Sequence, residues 1–203
     1  MSHPVFIAFE GIDGCGKSTQ LRLLAEALRA LGRTVRETAE PTDTATGKML
    51  RAALSGKDAR TATEMAALFT LDRIHHNVGA GGINEALSRG EDVITDRYYY
   101  SSLAYQGSLT DYDWVRRMNC DCPDIRRPDL CIFLDMEPKA ALARIGSRGE
   151  ATEIYEKEET LTKFRETFFR VFDTLPDRVA VISADGTPEE VAERVLDAVR
   201  PLL

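Results

Sequence analysis

The chain has 203 residues, 43% of them apolar and 29% charged, enough for one sizeable core and unlike disordered or low-complexity sequence. Asp and Glu outnumber Lys and Arg by 33 to 26, a formal net charge of −7, which argues against sequence-independent nucleic-acid binding because that needs many neutralised phosphates. No apolar run approaches the roughly 18 residues of a membrane span, no secretory leader is visible, and 4 cysteines are too few for a disulfide scaffold. The expectation is a cytoplasmic protein with no nucleic-acid or membrane partner.

Val5-Phe6-Ile7-Ala8-Phe9 is a short apolar run with aromatic and β-branched members and predicts a strand buried on both faces. A glycine-rich turn follows, and then Leu21, Leu24, Ala25, Leu28 and Leu31 recur at helical spacing until Gly32 stops the helix. Thr34 to Glu40 reads as a second strand, closed by Pro41. Thr61-Ala62-Thr63-Glu64 is a capping box opening a long helix, which Gly79, Gly81 and Gly82 break or kink. Val93 to Asp96 and Leu130 to Asp135 are further strands, each ending in an aspartate, and Val179 to Ile182 is a fifth. Thr187-Pro188-Glu189-Glu190 caps a last helix that turns Val191, Val195, Val199 and Leu202 inward. Strands alternating with helices predict an α/β fold with a parallel sheet covered on both faces and ligands outside the carboxyl ends of its strands. With no repeat and no linker-like stretch, one domain is expected.

Gly11-Ile12-Asp13-Gly14-Cys15-Gly16-Lys17-Ser18 satisfies G-x-x-x-x-G-K-[ST] between the first strand and the first helix, the context this phosphate-binding motif requires. The glycines allow successive N–H groups to face phosphate oxygens, and the helix N-terminus adds partial positive charge. Lys17 then reaches the β- and γ-phosphates and the Ser18 hydroxyl ligates Mg²⁺. Cys15, close to Lys17 and the helix N-terminus, would there have a lowered thiol pKa and be oxidation-sensitive and protected by nucleotide; the alternative, preferred here, is a small residue that merely fits the loop. A zinc site built from Cys120, Cys122, His75 and His76 does not match the usual ligand spacings. No guanine-reading N-K-x-D segment is present.

Asp96-Arg97-Tyr98 ends the third strand, followed by Ser101-Ser102 and Ala104-Tyr105-Gln106-Gly107. Together with Phe9 to Gly14, Glu40-Pro41-Thr42 and Leu68-Phe69-Thr70-Leu71-Asp72-Arg73, these segments resemble the thymidylate kinase family, in order and over nearly the whole chain. That resemblance implies a P-loop NTPase three-layer sandwich of strand order 2-3-1-4-5 with a short lid at about residues 144–157. It implies transfer of the ATP γ-phosphoryl to dTMP with Mg²⁺, usually by a homodimer, for which the helix after Thr61 is the expected interface. It places Arg97 on the acceptor phosphate, Asp96 beside the metal, Phe69 on thymine, Arg73 on a base carbonyl and Asp13 near the sugar 3′-hydroxyl. Tyr105 would crowd out a 2′-hydroxyl, with Glu40, Ser101 and Gln106 nearby. Thr19 would join the phosphate loop in binding ATP, and Ala184, in Ser183-Ala184-Asp185-Gly186, would lie against adenine. Arg144, Arg148 and Glu156 align with the lid pattern.

The resemblance has departures: Gly14 stands where one branch carries an arginine, Ala39 where bacterial members carry an arginine before Glu-Pro, and Ile154 where many have a lid arginine. Arg144 and Arg148 would then supply the missing charge. Asp135 competes with Asp96 for the metal, and Asp96 is preferred because Arg97 adjoins it. Two rival functions fit parts of the pattern. A deoxynucleoside kinase would use Glu40 as a base, and a nucleotide-gated P-loop protein would bind ATP without turnover.

Overall fold

A computed structural model describes residues 3–146 and 157–203. Five parallel strands, β1 (Phe6–Glu10), β2 (Val35–Ala39), β3 (Asp92–Asp96), β4 (Leu130–Asp135) and β5 (Val179–Ser183), form one sheet of order β2-β3-β1-β4-β5. This is the P-loop NTPase arrangement expected from the sequence, with helices around the sheet. The three central strands read as near-continuous apolar runs because both their faces are covered; Phe6, Ile7, Phe9, Ile132 and Phe133 are fully buried. The edge strands β2 and β5 are less covered, with one buried residue each, Val35 and Ile182, and the others half-buried or exposed.

Helix α1 (Lys17–Ala30) buries Leu21, Leu24, Ala25 and Leu28. Leu31, expected on that apolar stripe, is instead 63% exposed, because the chain leaves the helix at that residue and turns through Gly32 at φ 79°. Helices α2 (Ala45–Leu54) and α3 (Ala62–Val78) pack on each other around Leu50, Ala53 and Met65. The capping box of Thr61 and Glu64 forms, and α3 stops at Gly79 before the short α4 (Ile83–Ser88), so the glycine run does break the helix. Helices α5 (Tyr99–Tyr105), α6 (Tyr112–Cys120), α7 (Pro138–Gly146), α8 (Glu158–Thr174) and α9 (Pro188–Val199) complete the succession. Val191, Val195 and Val199 of α9 are buried as expected, whereas Leu202 is half-buried in a terminal 3₁₀ turn. Among the described residues no helix is long and apolar enough to cross a membrane.

One feature of the sheet positions the site. Phe9 of β1 lies opposite Asp96 of β3, so the glycine-rich loop leaving β1 emerges beside the Asp96-Arg97 turn leaving β3. Both turns lie at the carboxyl end of the sheet, where open α/β folds bind ligands.

Candidate active site

The phosphate loop adopts left-handed backbone at Gly11, Gly14 and Gly16 (φ 145°, 83° and 102°), which glycine reaches without steric cost. At Gly14 a side chain would also collide with the carbonyl of Ala141, so the loop and α7 approach more closely than an arginine at position 14 would allow. Lys17 is nearly buried and folds back over the loop. Its Nζ donates to the carbonyls of Gly11 (3.1 Å) and Ile12 (3.2 Å) and lies 3.8 Å from Asp13 Oδ1. Ser18 Oγ donates to Asp96 Oδ2 at 2.8 Å. Asp135, the rival strand-end carboxylate, is instead held by Arg165 through bonds of 2.6 and 3.0 Å.

Cys15 fits the reading of a small residue filling the loop and not that of a reactive thiol. Its side chain is buried and burial raises its thiol pKa, outweighing the nearby positive charges of Lys17 and Arg97; proximity in sequence to a helix N-terminus says nothing about desolvation, which here is the larger effect. Brief alkylation of the native protein with iodoacetamide, read by mass spectrometry, is therefore expected to leave Cys15 unmodified whether or not ATP is present. Rapid modification that ATP suppresses would restore the reactive-thiol reading.

Arg97 joins the two turns. It is the one non-glycine residue with positive φ (70°) among the described residues, a conformation that costs about 1–3 kcal/mol and persists where surrounding contacts enforce it. Its N–H donates to Phe9 O at 2.9 Å, Nη1 donates to Ser101 Oγ at 3.0 Å, and Nη2 pairs with Asp13. The guanidinium also lies 5.4 Å from the centre of the Tyr105 ring, within cation–π range. Burial opposes its charge, but the carboxylates of Asp13 and Asp96 raise its pKa well above the usual arginine value. It is cationic at every working pH.

A cleft of about 590 Å³ opens beside Arg97. Its lining brings together all eight residues expected around an acceptor: Asp13, Glu40, Phe69, Arg73, Arg97, Ser101, Tyr105 and Gln106. Pro41, Leu54 and Tyr98 complete the wall. Arg73 is 1% exposed; Nε and Nη2 donate to Glu40 Oε2 at 2.9 and 2.5 Å, while Nη1 donates to Ser102 Oγ at 3.1 Å and to Asn119 Oδ1. The other Glu40 oxygen lies 3.0 Å from His76 Nδ1, and His76 Nε2 lies 2.8 Å from Thr38 Oγ1. His76 thus supports the cleft wall. Glu40 has both oxygens engaged, a poor situation for the base a deoxynucleoside kinase would need.

A second cleft, of about 630 Å³, lies across the phosphate loop and is lined by Cys15, Gly16, Thr19, Arg144 and Ala184, together with Gln20, Gly186, Pro188 and Val191. Arg144 Nη2 donates to Ala184 O at 3.3 Å, which joins the end of α7 to the loop after β5. Arg148, Ile154 and Glu156, and with them most of the expected lid, lie outside the described residues. Among the described residues, no group of three or more His, Cys, Asp or Glu is arranged to hold a metal ion. Asn119 and Gln20 carry no motif signal that would have marked them; Glu10 and Ser102 lie inside segments that carry the family resemblance but have no role from it, and Gly186 and Pro188 lie within or just beyond the segment after β5.

Residues 9–195 match the family model for thymidylate kinase. A protein of Thermococcus onnurineus described as "Probable thymidylate kinase" is 40% identical over 92% of this chain and 93% of its own length. One of Pyrococcus horikoshii under the same description is 37% identical over 96% and 95%, and one of Methanococcus maripaludis is 40% identical over 83% and 78%.

Proposed function

The chain belongs to the thymidylate kinase family, and on that premise we propose that it is an ATP-dependent phosphotransferase converting dTMP and ATP to dTDP and ADP. The observation that carries this reading is the place of Arg97, a fixed cation at the mouth of the acceptor cleft, one strand away from the phosphate loop. Joining ATP to a monophosphate brings two polyanions together, so the site has to concentrate positive charge. Lys17 and Arg97 provide it from the two strand ends, and Arg144 and Arg148 add the charge that Gly14 does not. No strong base is needed, because a phosphate monoester with a second pKa of about 6 is already largely dianionic at pH 7. Catalysis is then alignment plus charge stabilisation.

ATP occupies the loop from Gly11 to Thr19, with its adenine in the cleft beside Ala184. In the acceptor cleft Phe69 stacks on thymine, Arg73 faces a base carbonyl, Asp13 faces the sugar, and Tyr105 fills the space of a 2′-hydroxyl, with Gln106 alongside. The donor set fits Mg²⁺: a hydroxyl and a carboxylate 2.8 Å apart are hard oxygen ligands, and Mg²⁺ takes few protein ligands beside waters and phosphate oxygens. Ser18 and Asp96 would hold it, and it would supply positive charge against the developing negative charge of the transfer. We further propose one kinase domain with a lid at about residues 144–157, acting as a homodimer. Leu71 and Val78, 54% and 51% exposed on α3, are seven residues apart on one helical face and support that interface.

A coupled ADP assay with dTMP, dUMP, dCMP, dGMP and thymidine tests the reaction. dTMP is expected to be the best acceptor, dUMP to be about 10–200-fold poorer because one methyl separates them, and thymidine to be inert. Turnover with thymidine but not dTMP would make the chain a nucleoside kinase. ATP binding without acceptor-dependent ADP would make it a non-catalytic P-loop protein.

A further inference from the structure

We propose that Glu10 is a positioning residue of the acceptor-phosphate site, fixing the Ser101 hydroxyl as the acceptor that aims Arg97. The proposal deepens the transfer reading above and rests on it. Glu10 ends β1 and is completely buried. Its Oε1 accepts from the N–H groups of Tyr98 (2.8 Å) and Ser101 (3.1 Å), and its Oε2 accepts from the Ser101 hydroxyl (2.6 Å). Every partner is a donor, a set that an ionised, acceptor-only carboxylate completes. Ser101 has one hydroxyl hydrogen, and it is committed to Glu10. The lone pairs of Ser101 Oγ are therefore the part left to meet Arg97 Nη1, 3.0 Å away. The two backbone bonds to Glu10 also brace the turn immediately after Arg97, whose φ of 70° needs such enforcement. A carboxylate with no place in the cleft lining thus sets both the backbone and the guanidinium of the residue that receives the acceptor phosphate.

The charge of Glu10 is part of this device. Burial raises its pKa to about 7 against the opposing pull of Arg97. The other titratable groups that face it are Tyr105 of α5 and Cys131 of β4, both pushed up by burial, while Asp13 and Asp96 act on the same Arg97 guanidinium. Protonation at Oε2 would make Glu10 the donor, release the Ser101 hydrogen and leave one Ser101 lone pair for Arg97, so the hydroxyl loses its fixed direction and the contact loses the support of a carboxylate behind it. Because the folded-state pKa is raised, the stability Glu10 contributes is greatest at low pH and is lost as pH rises through about 7. Folding and acceptor binding therefore favour opposite charge states of the same side chain.

Glu10→Gln reproduces the protonated hydrogen-bonding pattern without changing size. Near pH 8 it is expected to raise KM for dTMP about tenfold or more, the loss of one charge-assisted contact, with KM for ATP changed by less than about twofold. Its urea midpoint at that pH is expected to be no lower than that of the unmodified chain. On acidification through about pH 7 the unmodified chain should converge on the variant, once the acceptor's own titration, common to both, is divided out. In a Ser101→Ala background the Glu10→Gln change should add little, since the two act through one contact. An unchanged KM for dTMP, or an undiminished effect in the Ser101→Ala background, overturns the proposal. If the unmodified chain forms no dTDP, it is the transfer reading that fails. Inorganic phosphate titrated into the two proteins then decides for Glu10: weaker binding by the variant supports the assignment and equal binding overturns it.

Discussion

Arg97→Met is expected to lower kcat/KM for dTMP by about 10³-fold or more, the range found when a cation is withdrawn from a transferring phosphoryl group, while the affinity for ATP changes little. Three features of the structure set this size. The guanidinium stands at the acceptor cleft, not in the cleft beside Ala184, so its removal falls on the acceptor side. It is held from three directions, by Ser101, Asp13 and the face of Tyr105, so it is aimed before substrate arrives and needs no reorganisation during transfer. Its removal also leaves the Asp13 carboxylate, which lies 3.8 Å from Lys17, facing the incoming dianion without the guanidinium that pairs with it. Methionine keeps the unbranched apolar stem and meets the same left-handed backbone as arginine, so a folded protein is expected. Steady-state kinetics with each substrate varied, beside ATP titration, checks the result; a loss under about tenfold in kcat/KM for dTMP would show that other cations carry the acceptor.

The second large effect is on stability. Glu40→Leu is expected to cost about 3–5 kcal/mol, because it strands a buried guanidinium without its counter-charge. Arg73 is 1% exposed and Glu40 4%, and two of the guanidinium's nitrogens donate to one Glu40 oxygen. Ser102 and Asn119 still accept from Nη1, but neither carries charge. Replacing both members, Glu40→Leu with Arg73→Leu, should recover much of the loss, since an apolar pair of similar volume is often as stable as a buried ion pair. The double variant should nevertheless fail to use dTMP, having lost the polar wall of the cleft. Urea unfolding of the three proteins measures this. A single variant within about 1 kcal/mol of the unmodified chain would mean that water reaches Arg73.

What could be read from the sequence followed from locality. The phosphate loop, the Asp96-Arg97 strand end, the capping boxes at Thr61 and Thr187 and the break at Gly79 are each written within a few consecutive residues, and the structure has them where expected. The clustering of Phe69, Arg73, Arg97, Ser101 and Tyr105 in one cleft was reached through family resemblance, because those residues come from separate helices and turns. Contacts across the chain left no local trace. Glu10 meets Tyr98 and Ser101 roughly ninety positions away, with separations of 88 and 91, and His76 meets Thr38 across 38. Burial is equally invisible to local sequence: the neighbours of Cys15 are cationic, yet its thiol is desolvated, which fits the reading of a small residue filling the loop and not that of a reactive thiol. Helix α8 carries a local signal of the same kind: Leu161, Phe164, Phe168 and Val171 keep helical spacing and are all buried, and Phe168 packs 5.1 Å from Phe133 of β4.

The most direct test follows the phosphoryl group itself. Incubated with γ-labelled ATP, Mg²⁺ and dTMP, the protein should move the label onto dTMP as dTDP, leave thymidine unlabelled when it replaces dTMP, and lose nearly all of this transfer in Arg97→Met. Label released only as inorganic phosphate, placed on thymidine, or transferred at an undiminished rate without Arg97 would contradict a mechanism in which that guanidinium delivers a monophosphate acceptor to ATP.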